Sequence, residues 1–253
     1  MGTRAAYVTA MLAAAILMLS SALPLRSLPA VAARPVGAPV TTGGAPLRDR
    51  RYLAVSALNG VISVQFGLLT VGMPLWVTGH TRAPAATVAF LLVLNTALVA
   101  LLQVRITRRV ADVPSAGRAV FRAVLLLLLA CLLYAAAGHG GAAVATGILA
   151  LAVTAHSFGE MLSEAGGWEL AFELADPRNA GAYQGVSQAG FAIGAALAPA
   201  AVTSTAITHG APGWLLLGGT FLAAGTGTAL IARQPALLAQ RRGPAPRRWR
   251  RRK

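Results

Sequence analysis

Residues 123–159 read AVLLLLLACLLYAAAGHGGAAVATGILALAVTAHSFG and contain no Asp, Glu, Lys or Arg. A charge carried to the centre of a bilayer-spanning helix costs roughly 2.5–3.5 kcal/mol, so a chain that lives in lipid keeps charge out of such stretches. A soluble domain has no such reason, because about a quarter of its residues are charged. One crossing needs about 20 apolar residues. This run is too long for one, and the sequence Gly138, His139, Gly140, Gly141 divides it. It predicts a helix over Ala119–Ala137 and another beginning near Ala142. Leu125–Leu129 does not alternate with polar residues, as a lipid-facing barrel strand would.

The same blankness recurs at 52–81, 83–104 and 179–232. Only 11% of the 253 residues are charged, and the mean hydropathy is +0.65. Further spans are expected at Ala5–Leu25, Tyr52–Thr78, Ala85–Val104, Ala180–Val202 and Trp214–Ala232. The last two are separated by a turn over Thr203–Gly213, where His209, Gly210 and Pro212 fall. The expected fold class is an all-α integral membrane protein with about seven transmembrane helices.

The formal net charge of +15 is distributed unevenly. With seven spans, 20 of the 22 basic residues fall in segments 26–51, 105–122, 175–179 and the tail from Arg233, leaving only Arg4 and Arg82 on the other side. The positive-inside rule makes the arginine-rich side cytoplasmic, with the N-terminus outside and the C-terminus inside a cell membrane. The balance thus reads as an orientation code, and no nucleic acid partner is expected. The tail Arg241–Lys253 reads as an anchor to anionic lipid, worth about 1 kcal/mol per charge near the surface. A second reading of the N-terminus stays open. Arg4, a modest apolar core and Ala30-Val31-Ala32 have the form of a secretory signal with its cleavage site. Residues 27–51, rich in Pro, Gly and Ala, read as a cytoplasmic linker. Cys131 is the only cysteine and permits no internal disulfide.

Polar residues inside spans face a partner helix or a water-filled path. The second span carries Asn59, Ser63 and Gln65, the third Asn95 and Gln103, the sixth Gln184, Ser187 and Gln188. Asn59, Gln65, Asn95 and Gln188 are the candidates to line a substrate cavity. Each could equally form an interhelical hydrogen bond, worth about 0.6 kcal/mol on average.

The fifth span carries acids. His156, Glu160, Glu164 and Trp168 are spaced by four and share one helical face. If the helix runs on to Glu173, before Pro177, Glu160 and Glu164 lie inside the membrane. Removal from water favours the protonated form of a carboxyl, so such a group can exchange protons near neutral pH. Glu160 is therefore the leading proton-coupling candidate, with Glu164 and His156 beside it. If the helix stops near Gly166-Gly167, Glu164 is a loop residue instead. No Walker loop, His-Glu-x-x-His or Gly-x-Ser-x-Gly occurs. No enzyme activity, cofactor or metal site is expected.

Residues 173–185, ELADPRNAGAYQG, followed by Gly190, Gly194 and Ala198-Pro199, resemble the major facilitator superfamily. In that family an acidic-apolar-Pro-Arg-Gly loop precedes a Gly-rich helix. The antiporter pattern Gly-x8-Gly-x3-Gly-Pro is similar to Gly185-x8-Gly194-x3-Ala198-Pro199, with Ala198 in place of a glycine. Gly185, Gly190, Gly194 and Pro199 are, on that resemblance, helix-packing or hinge positions. Loop 105–112 keeps only the basic character of the family's loop. The resemblance implies that residues 1–26 are family helix six, 27–51 the central linker, 52–233 helices seven to twelve, and 234–253 a cytoplasmic tail. It further implies a secondary-active, proton-linked exporter of a small molecule, with the lipid bilayer, substrate and protons as partners. Only one six-helix half and one further helix are matched. A fragment, a misassigned start and a half that pairs with a separate N-terminal half all fit. The rival functions are a non-transporting membrane scaffold or an inactive transporter remnant, and a seven-span receptor.

Overall fold

A computed structural model describes residues 2–21, 23 and 45–233. Residues 27–44 of the linker expected over 27–51, the signal-type cleavage site and the basic tail lie outside the described residues, while Arg50 and Arg51 at the linker's end already open a helix. The chain divides into two units, 1–41 and 42–253. In the first, α1 (Gly2–Ser21) is a helix whose most apolar part is Met11–Ser20. The second holds six helices long and apolar enough to cross a membrane, an arrangement compatible with a membrane bundle. They are α2 (Arg50–His80), α3 (Ala86–Thr107), α4 (Val113–Ala137), α5 (Ala142–Glu173), α6 (Pro177–Ile207) and α7 (Ala211–Ala232). No strand occurs among the described residues.

Carboxylates start the helices at one end of the bundle. Asp49 accepts from the N–H groups of Arg51 and Tyr52 at 3.1 and 3.0 Å. Asp112 accepts from the Ser115 N–H at 2.7 Å, while the Asp112 N–H donates to Ser115 Oγ at 3.1 Å. Asp176 accepts from the Arg178 N–H at 2.9 Å. Such caps satisfy otherwise orphaned donors and complement the helix dipole. The Asp112 box, with Pro114 in the first turn, corrects one expected boundary. The fourth span begins at Val113 rather than Ala119, so Arg118 is helical and not in a loop.

A second boundary also moves. Thr203–Gly213 was expected as a turn, but α6 continues through a π-helical turn at Thr203–Ile207, and the break narrows to Gly210 (φ +64°). The hydroxyls in this polar run bond back to carbonyls of their own helix. Thr203 reaches Pro199 at 2.8 Å, Thr205 reaches Ala201 at 2.6 Å and Thr208 reaches Thr203 at 2.8 Å. Satisfied internally, they do not break the helix.

Helix α4 packs between α5 and α7, α3 lies against α5, and α2 lies against α6 and α7. The α2–α6 seam is made of small residues. A Cβ built on Gly190 would stand 2.8 Å from the Ser56 carbonyl oxygen, and one on Gly194 would collide with the Gly60 carbonyl. One on Gly67 would stand 2.8 Å from the Ala198 Cβ. Gly190 and Gly194 thus sit at the close approach of α6 to α2. Gly185 does not, because a Cβ there meets nothing within 4 Å. Pro199 is exposed on the helix just before the π turn. Aromatic groups tie the bundle's ends. The Tyr52 hydroxyl lies 2.9 Å from the Tyr183 carbonyl and 3.2 Å from that of Ala171. At the other end the Trp76 indole donates to the Tyr134 carbonyl at 2.7 Å.

Overpacking a filled interface costs about 1–3 kcal/mol. Gly194→Leu should lose that much in thermal unfolding of the purified protein in detergent. Gly185→Leu should stay within about 0.5 kcal/mol of the parent chain.

Candidate functional site

Helix α5 runs unbroken through Gly166-Gly167 to Glu173, so Glu160 and Glu164 are both helical residues within the bundle. Their depth follows from the packing of the glycines beside them. A Cβ on Gly159 would lie 3.1 Å from the Ala123 carbonyl oxygen and 3.0 Å from Leu127 Cγ. One on Gly166 would lie 2.8 Å from the Ala116 carbonyl oxygen. At 1.5 Å per residue, the 25-residue α4 is about 37 Å long, and Ala123–Leu127 is its middle. Glu160 therefore sits at mid-depth, and Glu164 one turn nearer the capped end.

Glu160 is half-buried. The Asn95 amide on α3 donates to its Oε2 at 3.2 Å and to Ser157 Oγ at 2.9 Å. On the adjoining side of α5, Ser163 Oγ donates to the Glu160 main-chain carbonyl at 2.9 Å and accepts from the Gln65 amide of α2 at 2.7 Å. The side chains that flank Glu160 thus tie α5 to α2 and α3. Gln65 is fully buried, so it braces the bundle and does not line an open cavity. Asn95 acts on the carboxylate itself.

The other two amides meet Glu164. Asn59 from α2, Glu164 and Trp168 from α5, and Ser187 and Gln188 from α6 line one cleft of about 40 Å³. Gly167 lets Asn59 approach α5, since a Cβ there would stand 2.8 Å from Asn59 Oδ1. Exposure along the shared face rises from 0% at His156 to 46% at Trp168. The face therefore opens toward the capped end and closes above Glu160. His156 belongs to the closed part. Both its ring nitrogens are buried without a hydrogen-bond partner among the described residues, so the structure does not join it to Glu160 through a hydrogen bond.

Ser157 and Ser163 are the site residues that sequence reasoning missed. Both lie three positions from Glu160 and so share its side of the helix, and hydroxyls at that spacing from an acid inside a span were the available signal. The cleft of about 40 Å³ has room for only a few waters, each of which needs at least roughly 10–15 Å³. Pockets for metabolites run to about 300–1,000 Å³, so this cleft is too small to enclose one.

No protein-family model, no curated protein and no solved structure matches the chain. The site is read from its own chemistry.

A double-mutant cycle tests the α2–α5 brace. Gln65→Ala and Ser163→Ala should show a coupling energy of about 0.6 kcal/mol in unfolding experiments. Strict additivity would mean that the bond contributes nothing.

Proposed function

We propose that the chain is a membrane-embedded bundle of a secondary-active transporter of major facilitator type, a proton-linked exporter of a small molecule, with Glu160 carrying the coupling proton. The observation that carries this reading is the placement of a carboxylate at mid-depth, held by an amide from a neighbouring helix and reached along a face that opens to one end. A carboxylate at that depth is costly and is by default functional. Its protonation changes the local charge by one unit, which can bias a rocking equilibrium between two open states. Glu164, with Asn59 and Gln188, lines the approach. The small cleft makes the six helices one wall, and a facing bundle would complete the substrate site. α1 is the seventh span in this reading, with the N-terminus outside and the capped, arginine-rich ends in the cytoplasm.

Orientation is tested by cysteine labelling, since the one native cysteine, Cys131, is buried. Gly140→Cys should react with a membrane-impermeant maleimide in intact cells, and Arg108→Cys only after permeabilisation. The reverse pattern would invert the topology.

Transport is tested in everted vesicles containing the chain alone or with a co-expressed six-helix N-terminal half. Labelled sugars, amino acids and cationic dyes serve as probes. Protonophore-sensitive accumulation that depends on pH, and loses that dependence in Glu160→Gln, is the expected result. Accumulation with an unaltered proton dependence in Glu160→Gln would remove the coupling role. No accumulation with any probe or partner would favour a scaffold.

A further inference from the structure

We propose that the groove where α3, α4 and α5 meet binds the phosphate headgroup of an anionic phospholipid. The groove encloses about 330 Å³. Arg109 enters it from the loop after α3. Ser115, Arg118 and Arg122 enter from one face of α4, and Phe158 and Leu162 from α5. Ser115, Arg118 and Arg122 fall at i, i+3 and i+7, so they form a single stripe. All three arginines are exposed, and none forms an ion pair with a described residue; Arg178–Asp176 is the ion pair found among those residues. Asp112, the acid nearest in sequence, accepts from the Ser115 N–H in the cap of α4.

Like charges four residues apart on a helix repel, and here a third guanidinium joins them. An anion between them converts that repulsion into attraction, and guanidinium forks suit phosphate oxygens. Depth argues for a lipid over a free ion. Arg122 lies nine residues into α4, about 14 Å from its start, on a face that looks outward from the bundle. In a bilayer such a guanidinium must snorkel to headgroup level or draw a phosphate toward it. Phe158 and Leu162 are one turn apart on α5 and give the groove an apolar wall. Inorganic phosphate has no use for that wall, whereas the glycerol and upper acyl chains of a phospholipid would cover it. Basic pockets between membrane helices on the arginine-rich side are suited to acidic headgroups.

This inference rests on the bundle lying in a bilayer and is independent of any role for Glu160. Loss of proton coupling would therefore leave it standing. The full chain, purified in detergent, is mixed with phosphatidylglycerol or phosphatidylcholine, and retained lipid is counted by native mass spectrometry. The parent protein should retain phosphatidylglycerol over phosphatidylcholine by roughly tenfold or more, and R118Q/R122Q should lose that preference. The control R48Q/R50Q removes the same charge from exposed positions outside the groove and should keep it. R118K/R122K, which restores the charge, should recover part of the binding and shows that the fold tolerates change at these positions. Millimolar inorganic phosphate should leave the lipid in place. Equal retention of the two lipids by the parent protein would overturn the proposal. Equal loss in the groove variant and the R48Q/R50Q control would do so too, by showing diffuse attraction, as would displacement by inorganic phosphate, by showing a site for a free anion.

Discussion

Hydrocarbon offers no partner to a charge or to an open peptide group, and the placement of acids in this bundle answers to that constraint. The seven acidic residues fall into two sets. The three aspartates stand at the starts of α2, α4 and α6, where their oxygens take up main-chain N–H groups. The N-termini of α3, α5 and α7 have no side-chain cap. A short carboxylate suits the cap because it reaches the N–H groups two and three residues on. The four glutamates all lie on α5. Capping accounts for where each aspartate stands, and it explains none of the glutamates.

Close packing supplies what polar groups cannot. Lipid tails are as apolar as leucine, so helices in a membrane associate through contact and through occasional hydrogen bonds. In the α2–α6 seam, Gly190 and Gly194 bring α6 against Ser56 and Gly60 of α2. In the α4–α5 contact, Gly159 and Gly166 allow the carbonyls of Ala123 and Ala116 to lie beside α5. The glycines that let α4 in also fix the height of Glu160. A bulkier residue at 159 would push apart the helices that hold the carboxylate at mid-depth. Packing and site are therefore one arrangement.

Much of this was legible from residue type alone. Charge-free runs marked the long helices, because expulsion of charge is a per-residue effect that needs no partner. The four-residue spacing of His156, Glu160, Glu164 and Trp168 placed them on one face, as helical periodicity requires. Pairings across helices were not legible. Asn95 and Gln65 looked alike in sequence, yet one binds the Glu160 carboxylate and the other is buried against Ser163. Boundaries moved where local chemistry outweighed composition. Asp112 and Ser115 drew α4 back over Arg118, and self-satisfied threonines carried α6 through a polar run. The Gly-rich motif did not separate Gly194, which packs, from Gly185, which does not, since that depends on which neighbour lies opposite.

On the proposed function, the Glu160–Trp168 face of α5 lines a path open to water within the membrane. Single cysteines placed from residue 154 to residue 173, in the chain with Cys131 replaced by Ala, can be scanned with a small water-soluble thiol reagent in membrane vesicles. Reactivity is predicted at 160, 164 and 168, with 159, 163 and 166 protected by packing. Reactivity that began only beyond Gly167 and showed no four-residue period would contradict the claim, because the face carrying Glu160 and Glu164 would then be closed to water.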